Sequence, residues 1–447
     1  MHVTVRVMNF RYKLMNLILV NWLRKVGRYC DSYAHVRSSF MPFLSSSSSA
    51  LTFLLLSSLH LPVIISLNPN PTICNDYATR LPSSSVPEPL VYDTALNPSP
   101  PPSSPDRPVL FRERNGWCPY SERAWLAFEL KRVDYDTILI DNMGGRPSWY
   151  SGTTPQAMIE GDKITESLDI VKRIDAFKGQ TENTPTLYPK DKDKNVDEVI
   201  SLFKDVFPKF TRPSSRAAFL FRSGGMPVER KTFERTLYET DELLKKTDGH
   251  FFCGEEVTAA DVAWAPFLER YAVQLPALHD GLRPRDEERW PNLSLWYKAM
   301  EEKVPAYPSR VQGDAESWRR VLMQQGFGNE AGFEKLLEAA ADERGDSSSC
   351  WPMFAEGRQW LANSPREEAA ARLLRNKGPI IADAIRNGGA NCDSAEEALS
   401  GIISGLVDGV ELKNNEEAVK LHTFLCERVC VPRDMGFLPA RAMRDLK

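Results

Sequence analysis

The hydrophobic and polar positions form regular patterns from residue 109 onward. The apolar run VLFRE (109–113) predicts a β-strand. CPYSERAWLAFELKR (118–132) predicts an α-helix with a proline in its first turn, where proline is tolerated. DYDTILID (134–141) alternates and contains β-branched residues, which is typical of a strand. These three segments together predict a βαβ unit.

The segments that follow predict a second unit. PQAMIEGDKITES (155–167) predicts a hairpin that turns at Gly161 and Asp162. SLDIVKRIDAFK (167–178) has the apolar spacing of a helix. A βαβ unit followed by two strands and a helix is the thioredoxin-like layout, whereas every strong segment from about 195 to 310 predicts a helix.

Residues 311–447 are helical in pattern too. Ser364 to Glu367 and Ser394 to Glu397 have the spacing of capping boxes, and Gly388-Gly389 and Gly409 are typical of helix ends. We therefore expect a mixed α/β domain, an all-helical domain and an additional helical domain of unassigned role. The expected divisions are a leader (1–75), a linker (76–108), the thioredoxin-like domain (109–185), the helical domain (186–310) and the additional domain (311–447).

The first 108 residues have a different composition. Residues 1–75 contain basic residues, a serine run and the apolar run 51–67, which is long for a signal-peptide core and short for a membrane span. We expect an organelle-import leader, a plastid being one destination. A secretory signal, a membrane anchor through 51–67 and a cytoplasmic protein that starts near Met41 stay open. Residues 76–108 are rich in Pro and Ser and predict an extended linker without a core.

Composition and residue spacing limit the partners and sites that we expect. The 447-residue chain has a net charge of −4 and no basic stripe in its patterned part, so we expect no nucleic-acid partner. Its eight cysteines are scattered, which is typical of a reducing compartment and not of a disulfide scaffold. The six histidines are far apart and there is no clustered Cys or His motif, so the sequence predicts no metal site.

Cys118 follows the first predicted strand and precedes the first predicted helix. Free N–H groups and the helix dipole at such a junction can lower a cysteine pKa from about 8.5 to about 3.5–7.5. Ser121 stands where a second cysteine would make a resolving pair, so a mixed disulfide with an external small thiol is the expected chemistry. The alternative is that Cys118 is a buried apolar residue without chemistry.

Four further residues fit a peptide-like ligand beside this cysteine. Pro155 precedes a strand, and a cis-proline at this point of the thioredoxin layout exposes the backbone of Thr154. Glu166 ends a strand and Ser167 begins a helix, which suits a ligand with a carboxylate and an ammonium group. The alternative for Ser167 is an ordinary helix cap and for Glu166 a surface charge.

These residues and three longer motifs resemble the glutathione transferase family over about residues 109–310. The motifs are ESLDIVKRID (166–175), FFCGEEVTAADVAWAPFLER (251–270) and RWPNLSLWYKAMEEKVPAY (289–307). Cys118-Pro119-Tyr120 and RPSWY (146–150) resemble the cysteine-type omega and lambda classes. The chain departs from the family in having Thr154 where valine is usual.

The resemblance implies a role for each candidate residue. Cys118 would form the mixed disulfide with glutathione, and Thr154 would pair with the cysteinyl backbone before the cis-proline. The residues implied to contact glutathione are Pro119, Tyr120, Arg146, Thr154, Pro155, Glu166 and Ser167. The resemblance also allows a homodimer.

The implied function is that of a glutathione-dependent thiol transferase or reductase, acting on glutathionylated or dehydroascorbate-like acceptors. Two alternatives stay open: a non-catalytic scaffold or redox-sensing module with the same fold, and conjugation of glutathione to electrophiles. We expect Trp264 to pack in the core, with a lining role in a second-substrate pocket as the alternative. Cys253 is predicted in the core, and Cys426 and Cys430 on the apolar face of one helix.

Overall fold

The computed structural model describes residues 72–446, except for several gaps. The gaps are 83–87, 103–106, 143, 180–183, 192, 209–221, 224–225, 280, 325–346, 392–393 and 413–414. All described elements belong to one unit, residues 70–447. The predicted leader and its apolar run 51–67 lie outside the described residues.

A five-stranded mixed sheet forms the first half of the fold. Its strands are β1 Val91–Asp93, β2 Val109–Glu113, β3 Asp136–Ile140, β4 Gln156–Ile159 and β5 Asp162–Ile164. Their order is β1-β3-β2-β4-β5, with β3 parallel to both β1 and β2, and with antiparallel pairs β2–β4 and β4–β5. The structure confirms the predicted βαβ unit and the hairpin. A separate ribbon joins the two short strands β6 Arg222–Ser223 and β7 Met226–Pro227.

The helices account for most of the remaining described chain. In chain order they are α1 Thr72–Arg80, α2 Pro119–Leu130, α3 Ser167–Asp175, α4 Asp193–Val206, α5 Arg230–Leu244, α6 Ala259–Leu278, α7 Pro291–Lys303, a π-helix Tyr307–Val311, α8 Ala315–Gln324, α9 Cys350–Ala355, α10 Pro365–Arg375, α11 Lys377–Asn387, α12 Ala395–Asp408, α13 Glu416–Arg428 and α14 Phe437–Arg444.

The prediction of an extended linker over 76–108 is wrong in two places. Strand β1 lies inside it and extends the sheet, because the backbone of Leu90 accepts from the Thr137 N–H at 2.7 Å and Thr94 donates to Leu139 O at 3.1 Å. Helix α1 overlaps its start, with the side chain of Tyr77 buried. Tertiary partners stabilise these short elements, so local composition gave no indication of them.

Helix α6 is the central helix, and a capping box marks its start. Thr258 and Asp261 form the capping box: the Asp261 carboxylate accepts from the Thr258 N–H at 2.8 Å. Nearly the whole length of α6 is buried, which is why it lacks a polar face. Helix α2 packs against both α3 and α6, which places the start of α2 between the sheet and the helical half.

The predicted signals in the additional helical region have mixed outcomes. Ser364 caps α10 by accepting from the Glu367 N–H at 3.2 Å, and Gly409 ends α12 with φ 75°, both as predicted. The predicted cap at Ser394 is wrong. Its backbone is already helical, because Ala395 N donates to Asn391 O in the preceding turn, and its side chain makes no cap hydrogen bond.

Candidate functional site

Cys118 lies at the start of α2, in the position that the sequence predicted. It is the residue before the helix, with extended backbone (φ −79°, ψ 114°), and Pro119 is the first helical residue. Its thiol lies 4.0 Å from the carbonyl oxygen of Thr154. The Thr154–Pro155 bond is cis, which confirms that prediction. The structure therefore brings the cysteine together with the backbone that would pair with a peptide ligand.

The ionisation of Cys118 differs from the prediction. Burial raises the pKa of the Cys118 thiol above its ordinary value. The hydroxyl and N–H of Ser121 act in the opposite direction by donating to the sulfur, the Glu113 carboxylate raises the pKa further, and the Tyr120 N–H lowers it. At this partly buried residue the effect of burial outweighs the helix-start donors, so the pKa is raised where the helix start alone predicts a lowering.

Tyr120 forms one side of the site and remains partly open to solvent. Its side chain is 40% exposed, and its ring lies edge-on to Phe267 with the centroids 5.8 Å apart. Burial raises the pKa of Tyr120, Arg123 lowers it, and Cys118 and Glu166 both raise it. Tyr120 thus interacts electrostatically with the cysteine and with the carboxylate at the start of α3.

Glu166 and Ser167 occupy the predicted junction. Glu166 is the residue before α3, has extended backbone and is exposed. Ser167 is the first helical residue, and its side chain is buried. The exposed carboxylate and the N-terminal N–H groups of α3 could hold an ammonium and a carboxylate of one ligand.

Arg146 is connected to the site through a residue that sequence reasoning missed. Its guanidinium donates to Asn142 Oδ1 at 2.9 Å and to the carbonyl of Gly152. Asn142 in turn donates to Thr154 Oγ1 at 2.8 Å. Arg146 therefore supports the loop before the cis-proline, a role separate from the implied contact with a glutathione carboxylate. Asn142 follows β3, and no motif marked it.

Arg123 is a second residue that sequence reasoning missed. It lies on α2 one turn beyond Cys118, donates to Ala263 O of α6 at 2.7 Å, and its guanidinium is 4.8 Å from the Phe203 ring centroid. Burial lowers its pKa to about 10, and the Tyr120 and Cys118 side chains act in the opposite direction. A buried cation beside the thiol can stabilise an anion there. The signal in the sequence was a basic residue within a mostly apolar helical segment.

The other predicted cysteines and the tryptophan have clear outcomes. Trp264 is fully buried against Phe207 and Phe252, so its prediction as a core residue is confirmed. Cys253 is also buried. The placement of Cys430 on a helix with Cys426 is wrong, because α13 ends at Arg428 and Cys430 lies in the turn beyond it.

The described part of the chain offers neither a metal-binding cluster nor a candidate membrane span. Among those residues there is no group of three or more His, Cys, Asp or Glu side chains placed to hold a metal ion. Nor does that part of the chain contain a helix with the length and apolar composition to cross a membrane.

Comparison with known proteins agrees with the geometry. The family model for the glutathione S-transferase N-terminal domain matches residues 117–176, and that for the C-terminal domain matches residues 216–299. Glutathione S-transferase L2, chloroplastic, of Arabidopsis thaliana is 31% identical over 44% of this chain, and the match spans 65% of that protein.

Two further Arabidopsis thaliana proteins are similar over comparable lengths. Glutathione S-transferase L1 is 30% identical over 44% of this chain and 80% of its own length. Glutathione S-transferase DHAR2 is 28% identical over 36% of this chain and 70% of its own length. Together with the two matched domains and the cysteine at the start of α2, these relatives show that the chain belongs to the glutathione S-transferase family.

Proposed function

We propose that this protein is a glutathione-dependent thiol transferase or reductase in which Cys118 forms a mixed disulfide with glutathione. The acceptor is a glutathionylated thiol or a dehydroascorbate-like molecule. The observation that carries the proposal is the position of the Cys118 thiol, 4.0 Å from the Thr154 carbonyl and beside Ser121 without a neighbouring cysteine.

The reaction with a glutathionylated thiol has two exchanges. The Cys118 thiolate attacks the glutathione sulfur of the substrate disulfide, so a Cys118–glutathione disulfide forms and the substrate thiolate leaves and takes up a proton. A second glutathione thiolate then attacks the glutathione sulfur on Cys118. Oxidised glutathione leaves and the Cys118 thiolate is regenerated, so one free glutathione thiol is consumed for each substrate thiol released.

The surrounding residues have separate proposed tasks in these exchanges. The Thr154 backbone pairs with the cysteinyl part of glutathione, and Glu166 with Ser167 holds the γ-glutamyl end. Ser121 stabilises the thiolate that leaves in the second exchange. Pro119 and Tyr120 shape the pocket, and Arg146 keeps the loop before Pro155 in place through Asn142.

The test is glutathione-dependent reduction of a small glutathione mixed disulfide by the full chain. We expect turnover in the parent and its loss, by a factor of about a hundred or more, in Cys118→Ala, because the covalent route is removed. Cys426→Ser is the matched control, since burial raises the pKa of that half-buried thiol to about 12 and leaves it unreactive.

The outcomes separate the proposal from its alternatives. If folded Cys118→Ala retains the parent rate, the mixed-disulfide mechanism is excluded. If the parent reduces no disulfide but conjugates glutathione to a halo-aromatic acceptor, the chain uses glutathione as a nucleophile. If the folded parent does neither, the non-catalytic scaffold is the remaining alternative.

We also propose a plastid as the site of action. The relative L2 carries the word chloroplastic in its name, and the first 75 residues have the basic and serine-rich composition of an import leader. The leader lies outside the described residues.

A further inference from the structure

The residues just before Cys118 form a tight loop, Arg114–Trp117, which we call the cysteine loop. The Glu113 carboxylate holds it from inside by accepting from the Asn115 N–H at 2.9 Å and from the Trp117 N–H at 2.7 Å. Gly116 has φ 76°, a left-handed conformation that favours glycine. The position of this loop determines where the backbone of Cys118 starts α2.

A second tight turn, Cys430–Asp434, lies beyond α13, and we call it the C-terminal turn. Asp434 closes it: its N–H donates to Cys430 O and its carboxylate accepts from the Cys430 N–H, both at 2.9 Å. The same carboxylate accepts two hydrogen bonds from Arg433, at 2.6 and 2.8 Å, which fixes the guanidinium. Ser317 anchors the turn by accepting from the Val431 N–H at 2.9 Å.

The two turns pack directly against each other. Arg433 Nη1 donates to Asn115 Oδ1 at 3.2 Å. The Pro432 ring lies so close to Gly116 that a Cβ on that glycine would be 2.9 Å from the ring. An acidic residue of β1 also interacts with both turns. Asp93 pairs with Arg114 of the cysteine loop at 2.7 Å, and it interacts electrostatically with Arg433 of the C-terminal turn.

The last residue of the cysteine loop is fixed on several sides. Burial raises the pKa of the Cys430 thiol, and the Arg433 guanidinium lowers it. The Trp117 carbonyl accepts from Arg270 of α6 at 3.2 Å. The C-terminal turn thus contacts the cysteine loop at Asn115 and Gly116, two of the three residues that precede Cys118.

We propose that the C-terminal turn is a positioning element for Cys118, and that Arg433 acts on the thiol through Asn115. This gives the helical region after residue 311 a task in the chemistry of the site. The importance of that task rests on the proposed function, but the positioning itself does not.

The physical consequence concerns the burial of the thiol. If the contact between Arg433 and Asn115 is removed, the cysteine loop loses its outer support, and Cys118, which is partly exposed already, becomes more accessible to water. The charged and titratable groups that face the sulfur then act on a more exposed thiol. They are Glu113 from β2, Tyr120 and Arg123 from α2, and Tyr150 from the loop after β3.

The experiment measures alkylation of Cys118 in the full chain by iodoacetamide across a pH series, read by mass spectrometry of the peptide that carries Cys118. We expect Arg433→Ala and Asn115→Ala each to raise the rate at neutral pH by about threefold or more, with the profile shifted toward that of an ordinary cysteine. The double variant should show less than the product of the two single effects, because each single variant already breaks the Arg433–Asn115 contact. Asn115→Ala also removes the hydrogen bond that Asn115 Nδ2 donates to Glu113 Oε1 at 3.1 Å. Arg433→Lys should restore the parent profile.

Arg428→Ala is the matched control, because it removes an exposed ion pair with Asp383 from the same region and should leave the profile unchanged. A parent-like profile in folded Arg433→Ala, or effects of the two single variants that multiply in the double variant, would overturn the proposal. If Arg433→Ala does not fold, Asn115→Ala provides the same test. Because alkylation needs no glutathione, the result is independent of whether the proposed transferase reaction occurs.

Discussion

At the scale of single residues, the reactivity of Cys118 depends on two opposing effects. Burial raises its pKa, and the hydroxyl and N–H donors of Ser121 act against that rise. A thiolate is the reactive form, so a raised pKa reduces the reactive fraction at neutral pH. The Cys118 thiol is therefore mostly protonated at neutral pH, and a higher pH or a ligand that donates to the sulfur increases the reactive thiolate fraction.

This balance predicts the pH dependence of the free protein. Alkylation of Cys118 should still rise with pH above the ordinary pKa of a cysteine, because the raised pKa displaces the profile to higher pH. Ser121→Ala should displace it further upward and lower the neutral-pH rate by about threefold to tenfold, since one donor to the sulfur is lost. Peptide mass spectrometry after timed alkylation measures both.

Thr423→Ala is a suitable control for that comparison, because this hydroxyl donates within α13, to Val419 O, on an exposed face. A Cys118 profile centred below the ordinary cysteine value would contradict the argument.

The sequence sufficed to place Cys118, Thr154 and Pro155 in one site, because strand, helix and cis-proline signals are local. The direction of the pKa shift was not accessible, because it depends on burial by distant segments.

At the scale of secondary-structure elements, the start of α6 connects three parts of the helical half. Asp261 is fully buried and its carboxylate accepts from the Thr258 N–H at 2.8 Å, the Phe252 N–H at 3.0 Å and the Trp296 indole at 2.9 Å. The capping box was predictable because Thr258 and Asp261 are three residues apart. The bonds to Phe252 and Trp296 were not, because nothing in the local pattern indicates them.

Asp261→Ala should lower the free energy of unfolding by about 3 kcal/mol or more, because it leaves several buried donors without an acceptor. Chemical denaturation of the full chain, followed by far-ultraviolet circular dichroism, measures the loss. Asp261→Asn retains one carbonyl oxygen and should lose less. A loss below about 1 kcal/mol in Asp261→Ala would show that the three donors find other partners.

The chain that enters α12 explains why the predicted cap at Ser394 does not form. A serine followed by glutamate three residues later predicted a cap there, but the turn from Asn391 already brings Ala395 into a helical hydrogen bond. A capping box needs extended backbone at its first residue, and the preceding turn denies it. Local motifs therefore predict helix starts only where the incoming chain is free to be extended.

At the scale of the whole molecule, segments from both ends of the described chain complete the transferase fold. Strand β1 and helix α1 precede the matched family domains, and α1 attaches through Tyr77, whose hydroxyl donates to Asp408 at 2.6 Å. The turn after α13 supports the cysteine loop. These contacts join residues more than 300 positions apart, so patterns of nearby residues could not predict them.

The predicted division at residue 310 separates the members of a buried polar cluster. The Glu269 carboxylate of α6 accepts from the Gly313 N–H at 2.8 Å and from the Trp318 indole at 2.6 Å, and both donors follow that division. The Trp318 ring also lies 4.0 Å from the Arg270 guanidinium. A chain that ends at 310 would leave a buried carboxylate without these donors and should not unfold cooperatively.

Trp318→Phe in the full chain isolates one of these contacts, because phenylalanine keeps a ring over Arg270 but has no N–H for Glu269. It should lower the free energy of unfolding by about 1.5–3 kcal/mol, the cost of a lost hydrogen bond to a charged group. Trp149→Phe is the control, since its indole donates to Pro98 O on the exposed side of the sheet. If residues 1–310 unfold cooperatively at the midpoint of the full chain, the helical region is an independent domain, and its support of the fold is excluded.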